Sequence, residues 1–237
     1  MFTYPKKIKG IIHVGAHELE ELEAYLKKNI YNIIWIEANP DKYDLIEKKI
    51  NSYRKMALGR FAAGSKETKL KLNISNNGQS SSILKFGTHK KSYPSIKYLT
   101  SKIVNVMTID QWIDNRSFDR HFFNFVNIDI QGYELEALKG LDRQLQFIDF
   151  LYLEVNFRQV YEKCSEVEDI DKFLKNYNFK RVGMFKTNKG WGDAIYVKRH
   201  FLLNKIYYII LIPSWRLINL PFKIFKKLGK IFLKCII

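Results

Sequence analysis

The stretch FNFVNIDIQGYELEALKG, Phe123 to Gly140, decides the fold. Its first half, Phe123 to Ile130, is strongly apolar and carries Asp129 near its end. Its second half, Tyr133 to Lys139, has helical spacing, and Gly132 stands in the turn between them. A buried strand, a tight glycine turn and a helix together form the unit of a largely parallel sheet covered on both faces.

The same alternation extends outward from that stretch. Towards the N-terminus, Ile8 to Val14 predicts a buried first strand. Glu18 to Asn29 predicts a helix through Leu19, Leu22, Tyr25 and Leu26, and Ile33 to Glu37 predicts a second strand that ends on an acid. Asn39, Pro40 and Asp41 make a helix start, since Asn can cap and Pro tolerates the first turn. Tyr53 to Ala62, Thr68 to Ile74 and Lys102 to Met107 read as strands, with a short helix at Asp110 to Asn115. Ser75 to Ser95 is the least regular part, and a loop that long in a compact domain usually serves function or moves. Towards the C-terminus come a strand at Phe150 to Val155, a helix at Val167 to Asn176, and closing strands at Phe179 to Phe185 and Ala194 to Val197. The class is therefore α/β.

With 237 residues there is room for one domain over 1–200 and a tail over 201–237. The chain is 46% hydrophobic and 15% aromatic, which excludes disordered and fibrous classes. Forty basic against twenty-four acidic residues give +16, a surplus that favours an anionic partner. Seven of the basic residues, and no acidic ones, fall in 201–237. Cys164 and Cys235 fit neither a disulfide framework nor a metal spacing, and no apolar leader precedes the first strand. Cytoplasmic residence is the expectation, and no metal is assigned.

Three strand ends carry acids. Glu37, about twenty residues after Gly15, is placed as nucleoside-binding α/β folds place a carboxylate that accepts both ribose hydroxyls. Its plain alternative is a solvated acid at a strand end. Asp129 and Glu154 end two further apolar strands, where an unpaired buried acid would be costly and a crevice-facing one functional. The turn Gly15-Ala16-His17 after the first strand lets a ligand approach the backbone, while the absence of a GxGxxG pattern argues against dinucleotide phosphates.

These motifs resemble the FkbM family of S-adenosylmethionine-dependent methyltransferases. The likeness rests on IIHVGAH, WIEANP, the AAGS of Ala62 to Ser65, NIDIQGYELEALKG, LYLEVN and WGDAIYV, and covers roughly residues 8 to 198. It implies a Rossmann-like (class I) methyltransferase fold with a mostly parallel seven-stranded sheet and helices on both faces. It also implies S-adenosyl-L-methionine as cofactor and a hydroxyl of a glycan, lipid-linked sugar or other small molecule as acceptor. By that similarity Gly15 and Ala16 lie against the methionine part of the cofactor, Glu37 holds its ribose, and Asp129 faces the methyl-transfer site. His17, Asn39 and Ala63 complete the expected cofactor surroundings. The sequence departs from the family at His13 and His17, where an Asp and a small polar residue are common.

Methyl transfer to a hydroxyl needs the acceptor positioned and its proton taken up. Asp129 is the leading base, followed by Glu154 and His17. Each has a structural alternative: Asp129 binds cofactor or orients its loop, Glu154 caps a turn, His17 stacks on the cofactor. Ser81, His89, Trp191 and Asp193 stand in loops suited to recognising the acceptor. In the tail, Lys223, Lys226, Lys227, Lys230 and Lys234 alternate with bulky apolar residues as a basic amphipathic helix, which fits the surface of an anionic membrane or packing on the domain. No nucleic-acid module is recognisable, so nucleic acid is not expected as a partner. The competing readings are a nucleotide-sugar or NAD-dependent enzyme on the same fold and a non-catalytic membrane-associated scaffold.

Overall fold

The structure, a computed structural model, describes residues 8–202. The amphipathic tail, beyond its first two residues, lies outside them. Among the described residues no helix is long and apolar enough to cross a membrane.

Seven strands form one sheet: β1 (Ile11–Val14), β2 (Ile33–Glu37), β3 (Met56–Arg60), β7 (Phe125–Ile128), β8 (Phe150–Asn156), β9 (Phe179–Lys186) and β10 (Trp191–Lys198). Their order is β3-β2-β1-β7-β8-β10-β9. The first five run parallel, and β10 pairs antiparallel with both β8 and β9. Every residue of β1, β2 and β7 is buried, as strands covered on both faces require. On one face Ile12, Ile34, Val126 and Leu151 pack with residues of α4 (Ile109–Asn115), α5 (Glu134–Lys139) and α6 (Val167–Lys175). On the other, Ile11, Ile33, Trp35 and Phe125 meet Tyr25 of α1 (Leu22–Leu26) and Ile46 and Ile50 of α2 (Tyr43–Ile50).

Strand alternation places two polar residues on that second face, His13 and Asn127. They are adjacent in register and meet the Tyr25 hydroxyl, which lies 3.0 Å from His13 Nδ1 and accepts from Asn127 Nδ2 at 3.2 Å. The His13 ring lies 4.8 Å from that of Trp35. Burial lowers the His13 pKa from 6.5 to about 4, so the ring is held neutral. His13 therefore belongs to the core.

Three elements differ from the sequence reading. The helix expected over Glu18 to Asn29 shrinks to α1, because His17 and Leu19 take left-handed backbone angles (φ 44° and 63°) and the His17 N–H is bound to Glu37. The strand expected over Tyr53 to Ala62 is two: β3 ends at Arg60, and β4 (Ala62–Ala63) crosses to a second, three-stranded sheet with β5 (Thr68–Ser75) and β6 (Tyr98–Met107), ordered β4-β6-β5. The small sheet has its own apolar layer of Ala62, Leu72, Val104 and Val106, with Ala38 and Ile83 packed on it, beyond the end of β2. Within the irregular segment, His89–Ser92 form a one-turn helix, α3. A last turn, α7, spans Arg199–Leu202.

Candidate active site

The carboxyl ends of β1, β2 and β7 open on a cleft lined by Val14, Ile36, Glu37 and Asp129. Gly15 begins it. Its φ is +92°, and a Cβ there would stand 2.0 Å from the Asp129 carbonyl oxygen. Only glycine lets the loops after β1 and β7 meet so closely. The Gly15 and Ala16 N–H groups both donate to the Ile36 carbonyl, at 2.9 and 3.0 Å, which turns the loop across the end of β2.

Glu37 is held by main chain on both oxygens. His17 N donates to Oε2 at 2.8 Å and Asn39 N to Oε1 at 2.7 Å. Each oxygen keeps a lone pair for a further donor. Burial raises the Glu37 pKa, and the two N–H donors oppose that rise. Asn39 Oδ1 in turn caps the one-turn helix Pro40–Lys42 through Asp41 N at 3.1 Å. The His17 ring leans on Glu20, Nδ1 to Oε1 2.7 Å, and its buried Nε2 has no hydrogen-bond partner.

The loop after β7 is shaped by Glu134. This carboxylate is 1% exposed and accepts from Gly132 N at 2.9 Å and Ile130 N at 3.2 Å. Burial pushes its pKa up to about 7. Gln131 and Gly132 adopt positive φ (60° and 100°), and a Cβ on Gly132 would crowd Tyr161 and Cys164 at 3.1 Å. The Asp-x-x-Gly-x-Glu spacing thus has a mechanical basis: the Glu ties down the backbone of the loop that presents Asp129.

Gln131 links the acids. Its Nε2 donates to Asp129 Oδ1 at 2.6 Å and reaches Glu154 Oε2 at 3.2 Å, while its Oε1 accepts from the Tyr161 hydroxyl. Glu154 is buried, and its pKa is raised well above the ordinary carboxylate value by burial first and then by Asp129, Glu134 and Asp193. Ser82 completes this wall by donating its hydroxyl to the Gln131 carbonyl at 2.7 Å.

Of the residues singled out by sequence, Gly15, His17, Glu37, Asn39, Ala63, Ser81 and Asp129 line this one cleft. Ala16 does not, since its side chain is buried in the α1–α2 layer. Glu154, His89, Trp191 and Asp193 stand further along the sheet, Trp191 and Asp193 within β10 and His89 in α3, not in the loops expected from sequence. Asp193 faces Glu154 across β10 and β8, and Trp191 faces Asn156. Trp191 Nε1 donates to the Tyr93 hydroxyl at 3.2 Å. The His89 ring stacks on Phe86 with centroids 4.4 Å apart and lies 5.4 Å from that of Tyr161. Sequence reasoning missed Gln131, Tyr161 and Asn156. Gln131 lay inside the quoted motif, but its bridging role depends on a strand 23 residues away. Among the described residues no group of three or more His, Cys, Asp or Glu side chains is placed to hold a metal ion.

The model of the methyltransferase FkbM domain matches residues 13–181 of the chain. A curated relative, the hexuronic acid methyltransferase AglP of Haloferax volcanii, is 27% identical over 130 residues, which are 53% of this chain and 47% of that protein. The chain thus spans about half the length of this relative. Among solved structures, a SAM-dependent methyltransferase from Aquifex aeolicus is 11% identical with a TM-score of 0.43, over 82% of this chain and 85% of that one. Fibrillarin from Aeropyrum pernix with natively bound S-adenosyl-L-methionine is 12% identical with a TM-score of 0.43, over 83% of this chain and 70% of that one.

Proposed function

The chain belongs to the FkbM family of methyltransferases, and from that membership we propose that it transfers a methyl group from S-adenosylmethionine to a hydroxyl oxygen of a sugar or similar small acceptor. The observation that supports this most is Glu37, a buried carboxylate at the end of β2 with one lone pair left on each oxygen, beside a glycine-lined main-chain wall.

The residues present fit the cofactor. Glu37 would take the two ribose hydroxyls, the Gly15 loop would lie against the amino-acid end, and Phe61, Ala62, Ala63 and Leu72 give an apolar wall for a flat base. The unpartnered His17 Nε2 adds a polar atom on the same side. When bound, the cofactor supplies a methyl group on a sulfonium that is already a good leaving group. What the protein must add is alignment of the acceptor oxygen and a place for its proton.

Asp129 is exposed at the cleft mouth and is the group we assign to accept that proton or to orient the hydroxyl. Gln131 fixes the Asp129 carboxylate by its 2.6 Å hydrogen bond. Glu154, pushed towards its protonated form by burial, stands behind the glutamine and accepts from its Nε2, which holds Gln131 in place. Ser81, His89, Trp191 and Asp193 are proposed to shape the acceptor side. The distant AglP relative, named as a hexuronic acid methyltransferase, favours a sugar acceptor.

Calorimetric titration of the full chain with S-adenosylmethionine and, separately, NAD tests this reading. Selective binding of S-adenosylmethionine, weakened by Glu37→Ala and retained by Asp129→Asn, is the expected result. A folded chain that binds NAD instead, or neither, overturns it.

A further inference from the structure

Two cations stand at the turn between β9 and β10, Lys189 within it and Arg158 reaching it from the loop after β8. Lys189 Nζ sits 5.8 Å from the centroid of the Tyr93 ring. Arg158 lies against Gly190, where even a Cβ would come within 2.1 Å of its Nε. Among the described residues neither makes an ion pair with a carboxylate. Cations kept over aromatic faces and in a glycine notch are positioned without being neutralised.

Next to them the floor is unsatisfied. Asn156 is 0% exposed, and neither its Oδ1 nor its Nδ2 has a hydrogen-bond partner. The nearby loop adds two more buried orphans, Thr88 Oγ1 and His89 Nδ1. A buried polar group without a partner is costly, so an unpaired amide marks a place where water or a ligand hydroxyl completes the structure. Asn156 is the register partner of Trp191, which is half-buried. Aromatic face, hydroxyl-reading amide and free cations together are the chemistry that holds an acidic sugar.

The acids fix its orientation. Glu154 and Asp193 face each other two residues further along β8 and β10 from Asn156 and Trp191, about 7 Å away at the rise of a strand. Asp129 lies beyond Gln131 on the same side. An anion is repelled from that inner end and attracted to the turn.

Resting on the methyltransferase reading, we propose that Arg158 and Lys189 form an oxyanion subsite for the acceptor. The acceptor is then an acidic sugar whose carboxylate or phosphate sits at the β9–β10 turn. Its ring lies along Trp191, over Asn156, with the reacting hydroxyl directed to Asp129.

The test is binding to the full chain saturated with S-adenosylhomocysteine, with three probes: trigalacturonate, glucose 6-phosphate and neutral maltotriose. The expected result is that one of the two anionic probes binds at least tenfold tighter than maltotriose, and which one does so identifies carboxylate or phosphate as the group read. Arg158→Gln with Lys189→Gln is expected to remove that preference while leaving the affinity for S-adenosylhomocysteine unchanged. Equal binding of all three, binding of neither anion, or a preference that survives the double substitution overturns the subsite. Failure of the folded wild-type chain to bind S-adenosylhomocysteine overturns the underlying methyltransferase reading instead.

Discussion

The two ends of the crevice are built by different means. At the β1–β2 end the buried carboxylate, Glu37, is clamped by two backbone N–H groups, and its loop is fixed by a glycine pressed on the Asp129 carbonyl. At the β8–β10 end, Glu154 and Asp193 stand opposite one another and a glutamine side chain spans Asp129 and Glu154. There a buried asparagine is left without partners and two cations without acids. Main-chain scaffolding makes a site that exists before its ligand does. Side-chain scaffolding with unfilled hydrogen bonds makes one that its ligand completes.

The contrast breaks most severely at Gly15. Gly15→Val adds a side chain where φ is +92° and a Cβ already collides with backbone, so both ends lose their shared junction. We expect a loss of about 4 kcal/mol or more in stability, read as a fall in thermal midpoint, together with loss of cofactor binding. Glu37→Ala is the next largest effect. It removes the acceptor of two backbone donors and should weaken S-adenosylmethionine about a hundredfold, roughly 3 kcal/mol, measured by calorimetry.

Two buried groups sharpen the comparison through pH, with opposite signs. His13, near the first end, has its folded pKa lowered from 6.5 to about 4, so its contribution is present above 6.5 and lost as pH falls towards 4. Two and a half units correspond to about 3 kcal/mol. The advantage of wild type over His13→Asn in thermal midpoint should therefore shrink as pH falls through that window. Glu134, under the second end, has its folded pKa raised from 4.5 to about 7. Its contribution is present below 4.5 and lost as pH rises towards 7, because the unfolded chain releases the proton first. Glu134→Gln should gain on wild type over that range, and a gap that stays constant would remove Glu134 as the titrating group. The smallest effect is expected from Ser82→Ala, which deletes the hydrogen bond to the Gln131 carbonyl and the one accepted from Leu84 N, and should cost about 2 kcal/mol in denaturant unfolding.

The same contrast explains what could be read from the sequence. Parallel strands buried on both faces are continuous apolar runs, so β1, β2, β7 and β8 were legible, and their acids marked the crevice. The place of Glu37 and Asp129 at the cleft was legible because position along a strand determines where a side chain emerges. Asn156 ends such a strand too, yet nothing local separates an orphaned asparagine from a satisfied one. The truncation of the first helix was hidden because it follows from the bond between His17 N and Glu37, twenty residues apart. The split at Phe61 was hidden because Met56 to Ala63 is one β-favouring run whose two halves go to different sheets. Gln131 and Tyr161 meet only when 30 residues of chain have turned back.

The central place of β1 has a consequence for the order in which the molecule is assembled. One flank of β1 is filled by β2, close in sequence, whereas the other waits for β7, whose Asn127 lies 114 residues beyond His13. Until β7 docks, β1 presents an open strand edge, the kind of surface on which incomplete chains associate wrongly. The contact between Gly15 and the Asp129 loop forms with that same docking step. A ligand of the crevice can therefore recognise only chains that have finished closing the sheet. Its presence during refolding draws the population past that step without touching the open edge.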